Sequence, residues 1–159
     1  GKVSLSGHCS EVARCFYQDR AAPVTPEYLA QIAGMDKTPF VLQQFAAWLD
    51  DARPESERCG MHILDLFYWE QRAGRWAANG QAQWDIVHER FTAFNCRPLI
   101  FELLSVEEKY RHSPDYLLYR KMIGILAPEL LDVPINPAQQ KRSFKRRVLT
   151  RLRSLVRDA

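Results

Sequence analysis

The chain has 159 residues, 47 % of them hydrophobic, and a formal net charge of +3, enough apolar material for one domain with its own core. No apolar run approaches the ~20 residues that span a bilayer, and no secretory leader pattern is present. The small net charge hides a split: eight of the 22 basic residues and one of the 19 acids fall in 141–159, so that segment carries +7 and residues 1–140 carry −4.

In chain order, residues 3–5 read as a short strand that enters a turn at Gly7, and a helix is expected over 10–18. A strand needs neighbours for its backbone donors and acceptors. No later stretch alternates convincingly with a period of two, so the chain reads as the C-terminal part of a larger domain whose sheet lies elsewhere. A cap-type residue followed by proline marks helix starts at Thr25-Pro26, Thr38-Pro39, Ser113-Pro114 and Asn136-Pro137, because proline fits the first helical turn. Ser105 with Glu108 has the spacing of a capping box. Helices are expected over 26–33, 39–52, 61–77, 81–91, 97–104, 114–126 and 137–157, with a short helical turn near 128–132. Residues 53–57 read as a polar linker. The expected fold class is mainly α with one short N-terminal strand, divided into residues 1–135 and a basic amphipathic helix at 136–159.

The segment 61–77 carries most of the chemistry. Ile63, Leu64, Phe67, Tyr68, Trp69 and Trp76 supply apolar surface, with Glu70, Arg72 and Arg75 among them. Two readings stand: a charged face turned to water, or an arginine projecting into a cleft to meet an anion, a role suited to the guanidinium fork. The four cysteines form no regular framework and read as free thiols of a reducing cytoplasm. Cys59 and His62 have metal-like spacing, with His8-Cys9 as a second pair, but structural zinc sites normally show two matched pairs, so no metal site is assigned. The four histidines are scattered, one per element, and none is assigned as a catalytic base.

Several segments together resemble the asparagine synthetase-like ATP pyrophosphatases, members of the adenine nucleotide alpha hydrolase superfamily. Leu5-Ser6-Gly7-His8-Cys9-Ser10-Glu11 running to Phe16-Tyr17 is similar to the family's Ser-Gly-x-Gly loop followed by acids. Residues 99–106 resemble its Leu-Ser-Leu-Pro helix stop, 116–121 its Tyr-Leu-Leu-Arg helix, and Pro128-Glu129 through Pro134 its Leu-Pro-Glu-x-x-Leu-x-x-Pro segment. The order and approximate spacing agree over about residues 3–135.

The resemblance implies the helical C-terminal part of an α/β nucleotide-binding domain. Ser6, Gly7 and Glu11 would lie nearest the phosphates, and Arg72 or Arg75 would contact an anion. ATP and Mg²⁺ are the cofactors implied for a parent protein, an ATP-dependent ligase-like enzyme. The chain departs from the family at Cys9 (for Gly), at Val12 (for an acid) and at Asp115 (for a phosphate-neutralising Lys), which suits a divergent branch. It also lacks the family's Ser-Gly-Gly-x-Asp-Ser loop, so neither nucleotide binding nor catalysis is expected of the chain alone. A sheet-bearing N-terminal half or partner would supply that loop.

The last segment offers a rival reading. Phe144, Val148, Leu149, Leu152, Leu155 and Val156 line one helical face, with cations on the others. Such a helix packs on its own domain, lies on an anionic membrane surface, or binds a partner protein, which would make the chain a non-catalytic interaction module, cytoplasmic or peripheral at the inner membrane. Nucleic acid is disfavoured by the acidic body and by the lack of aromatics among the tail's charges.

Overall fold

The computed structural model describes residues 3–135. It is mainly α-helical, as the sequence predicts, with the N-terminal strand in place. Strand β1 (Val3–Ser6) is followed by a 3₁₀ turn at Ser10–Arg14, then helices α1 (Pro26–Ala33), α2 (Pro39–Arg58) and α3 (Ile63–Phe67). A π-helical stretch, Tyr68–Ala77, runs on into α4 (Ala78–Trp84). After strand β2 (Glu89–Thr92) come α5 (Arg97–Ser105), a 3₁₀ turn at Glu108–Tyr110, α6 (Leu117–Leu126) and a final 3₁₀ turn at Pro128–Asp132. The helix expected over 137–157, its Asn136-Pro137 start and the 136–159 unit lie outside the described residues. No helix among the described residues is long and apolar enough to cross a membrane.

Local signals set the first two helices. Thr25 Oγ1 accepts from Tyr28 N at 3.2 Å, and Thr38 Oγ1 from Val41 N at 3.3 Å, each satisfying an orphan donor of the first turn. Gly34, at φ +69°, ends α1 in the left-handed conformation that favours glycine. Helix α2 then runs six residues beyond its expected end, straight through the supposed linker at 53–57. Pro54 removes one i→i−4 donor, the one that would reach Asp50, an exposed residue whose carbonyl water can serve. Ser56 Oγ donates to Arg53 O at 3.0 Å, and the Arg53 guanidinium donates to Val24 O, which ties this part of α2 to the chain ahead of α1.

The core centres on Phe67. Its ring lies 5.2 Å from Trp48, 5.7 Å from Phe45 and 5.9 Å from Tyr17, in edge-on or tilted contacts. Leu29, Leu64, Ile100 and Val12 are fully buried around it.

Four expectations are corrected. The helix of 81–91 stops at Trp84, and Glu89–Thr92 instead pairs in parallel with β1, Leu5 opposite Phe91. Pairing gives β1 the partner that local pattern did not reveal. The helix of 10–18 is a single 3₁₀ stretch, halted at Cys15 with φ 50°. The helix of 114–126 begins at Leu117, with Tyr116 ahead of it in the left-handed region at φ 44°. The Ser105–Glu108 capping box does not form either: Ser105 Oγ donates back to Glu102 O at 2.7 Å, and Glu108 receives Arg20 instead.

The sheet has an unusual polarity. Val3, Leu5 and Phe91 share one face with the exposed Glu89 and are 57 %, 79 % and 57 % exposed, while Ser4, Ser6, Arg90 and Thr92 on the other face are half-buried. Parallel strands are normally covered on both faces, so the apolar face of β1–β2 is an uncovered surface among the described residues.

Candidate functional site

Strand β1 delivers the first group of residues. Ser6 Oγ accepts from His8 N at 3.3 Å, and Gly7 O accepts from Ser10 N at 3.2 Å and from Ser10 Oγ at 2.8 Å, closing the turn on itself. Cys9 sits at φ 72°, a conformation that glycine adopts at no steric cost, so the cysteine keeps a backbone shape that Gly would take freely. Val12 is buried in the core. Glu11 Oε1 lies 3.8 Å from Arg14 Nη2, whereas Glu11 Oε2 is buried with no partner among the described residues. Tyr119 Oη on α6 donates to Ser10 O at 2.6 Å and pins the turn. Burial pushes the Tyr119 phenol up to about 12, so it remains a donor at neutral pH.

The second group comes from the π-helical stretch. Gly74 packs closely there: a Cβ on it would lie 3.2 Å from Trp69 O, a tight approach that this carbonyl would have to ease. Arg72 is sandwiched by aromatic faces, its guanidinium 5.2 Å from the Phe16 ring centre and 4.9 Å from that of Trp76. Neither Arg72 nor Arg75 forms an ion pair among the described residues, and Glu70 is turned away to accept from Trp48 Nε1 at 2.8 Å. Both arginines line a cleft of about 330 Å³ with Gln71, Asn79, Tyr17 and Trp76. Burial raises the Tyr17 phenol, against the opposing pull of Arg72.

A second groove, about 440 Å³, adjoins the first. His8, Trp84, Gly80 and Arg90 line it, and it shares Trp76 and Asn79 with the arginine cleft. Of the residues singled out in the sequence, Arg72 and Arg75 are thus brought together on one wall. Ser6, Gly7 and Glu11 line neither hollow; His8, inside the same turn, does.

Sequence reasoning missed a buried charge cluster altogether. Asp65, 1 % exposed at the start of α3, accepts from Arg20 and from Arg111, itself 3 % exposed. Arg20 also donates to Glu108, from Nη2 at 2.6 Å and from Nε at 3.1 Å. His62 caps α3 by accepting from Leu64 N at Nδ1, 3.1 Å away. Burial, with the charge of Arg20, holds its imidazole below its ordinary value. Every strong donor and acceptor of the cluster faces another member or the backbone, so its work is structural. All four cysteines are free thiols, and no group of three metal-ligating side chains gathers among the described residues.

No protein-family model, no curated protein and no solved structure matches this chain. What the fold and the site define is therefore a class set by their own geometry. It is a mainly α-helical chain built on a two-stranded parallel sheet, with an aromatic cleft carrying two arginines that no carboxylate among the described residues neutralises.

Proposed function

We propose that this chain forms one wall of an asparagine synthetase-like nucleotide and acceptor cleft, in a protein whose further strands complete the β1–β2 sheet. The observation that carries the reading is the position of Trp76. It lines both hollows, so the turn that follows β1 and the arginine-bearing π stretch approach each other at one residue.

The sheet supports the same reading. Ligands of open α/β sheets lie outside the carboxyl ends of the strands, and Ser6 is the carboxyl end of β1, with Gly7 just beyond it. In this reading Ser6, Gly7 and Glu11 face the phosphates across the missing part of the cleft, and Arg72 and Arg75 meet an anionic group. Arg72 is preorganised for an anion, since the two rings fix its plane and no carboxylate among the described residues competes for its donors.

Mg²⁺ is ordinarily held by one or two carboxylates, with waters and substrate phosphates completing its shell, and in the turn Glu11 is the one carboxylate that could serve it. In this reading the phosphate-cradling loop and the remaining metal ligands belong to the sheet-bearing half or partner, which packs on the exposed face of Val3, Leu5 and Phe91. A cytoplasmic setting suits the four free thiols.

Titration with MgATP tests the reading. The chain alone shows no saturable binding; a polypeptide that supplies the remaining strands and a glycine-rich phosphate loop binds, and Arg72→Gln weakens that binding about tenfold or more. Saturable binding to the chain alone that survives both Arg72→Gln and Arg75→Gln overturns it.

A further inference from the structure

The groove beside the arginine cleft carries chemistry of its own. Arg90 Nε is buried with no hydrogen-bond partner among the described residues, and its guanidinium lies 5.7 Å from the Trp84 ring centre. A buried donor left without an acceptor is costly and rare in folded chains. Arg90 joins no ion pair among the described residues, and no acidic side chain among them lines the groove. Around it stand the His8 imidazole, the amides of Asn79 and Gln83, and the indoles of Trp76 and Trp84. At about 440 Å³ the hollow is the size of a small-molecule site.

We propose that the groove between His8, Arg90 and the indoles of Trp76 and Trp84 binds a small aromatic oxyanion. The carboxylate or phosphate accepts from Arg90, and the flat ring lies along the indoles. Cation, amide donors and two exposed indoles form a set that an acidic, flat ligand satisfies and a neutral or cationic one does not. The groove shares Trp76 with the nucleotide reading, whereas Arg90, Trp84 and Gly80 take no part in that reading.

Gly80 offers a clean way to block the site. It lies in α4 on the groove wall without positive φ, and a Cβ there meets nothing within 4 Å, so the backbone accepts a side chain and Gly80→Leu adds bulk at the groove wall. The experiment follows the indole N–H resonances of Trp76 and Trp84 in ¹⁵N spectra of the whole chain. The probes are phenyl phosphate, benzoate, inorganic phosphate and benzyl alcohol.

Phenyl phosphate or benzoate shifts both signals saturably, the tighter of the two naming the headgroup. Inorganic phosphate, without the ring, and benzyl alcohol, without the charge, bind at least about tenfold more weakly. Gly80→Leu and Arg90→Gln each weaken binding by about tenfold or more, whereas Arg72→Gln leaves it within about threefold. No saturable shift with either aromatic anion overturns the proposal. So does equal binding by inorganic phosphate or benzyl alcohol, undiminished binding in Gly80→Leu, or a loss confined to Arg72→Gln, which would put the ligand in the neighbouring cleft.

Discussion

Arg20 grips Asp65 through two parallel hydrogen bonds, Nη1 to Oδ1 and Nη2 to Oδ2, each 2.8 Å long. Arg111 approaches Oδ2 from another direction with two donors at 3.1 Å. One carboxylate thus bridges two buried guanidinium groups, and Glu108 supplies Arg20 with a second. Asp65 joins the segment before α1 to α3 and to the stretch after α5, and so holds the frame from which the π stretch and its arginines project.

Asp65→Asn removes that charge and leaves Arg111 buried without its counter-charge. The expected loss of folding free energy is about 3–5 kcal/mol, read by urea denaturation with tryptophan fluorescence. A loss below about 1 kcal/mol would mean that the cluster does not anchor the fold.

Stability falls in acid in two steps. Burial and the charge of Arg20 lower His62 from its ordinary 6.5. Burial pushes Glu108 up, but the hydrogen bonds and charge of Arg20 outweigh it and leave Glu108 below its ordinary 4.5. The folded chain therefore takes up both protons later than the unfolded chain as pH falls. The stability tied to His62 is whole above its ordinary value and is lost as pH falls from there through its lowered value. The part tied to Glu108 is lost in the same way from its own ordinary value downward. His62→Asn, which preserves an N-cap acceptor, abolishes the upper step in denaturation midpoints measured from about pH 8 to 4, and Glu108→Gln abolishes the lower. A profile unchanged in His62→Asn would contradict this.

Phe67→Ala removes the ring that Tyr17, Phe45 and Trp48 enclose, and costs about 3–5 kcal/mol. Pro54→Ala restores a missing helical donor in α2 and stabilises the chain by about 1–3 kcal/mol. Thermal unfolding followed by circular dichroism reads both, as opposite shifts of Tm.

Leu5→Lys and Phe91→Lys touch only the bare face of the sheet, so each changes folding free energy by less than about 0.5 kcal/mol. In the proposed function the same substitutions weaken packing of the sheet-bearing half on this face, which co-purification reads directly. A large loss of stability in the chain alone would show that this face is covered from within.

What the sequence makes legible is what neighbours decide. Thr25 and Thr38 announce α1 and α2 because each cap is satisfied three residues on. Arg72 and Arg75 stand out because guanidinium groups among aromatics sit within one helical segment. The missed features depend on distance along the chain. Asp65 finds Arg20 across 45 residues and Arg111 across 46, so no local spacing marks it. Glu89–Thr92 is too short to show a period, and becomes a strand only because β1 lies beside it. Pro54 misleads because propensity is local, whereas packing carries α2 past it. His8 reads in the sequence only as half of a His8-Cys9 pair, and it is the approach of Trp76 and Arg90 that sets it on the wall of the second groove.

In the proposed function, the turn after β1 and the arginines of the π stretch face one nucleotide and acceptor cleft once the sheet is complete. The Trp76 indole N–H reports on that arrangement during MgATP titration, in the chain expressed with the strands and phosphate loop that complete its sheet. The expected outcome is a saturable shift that Arg72→Gln weakens about tenfold or more, and none in the chain alone. A completed protein that binds MgATP with Trp76 unmoved, and with undiminished affinity in Arg72→Gln, would contradict it.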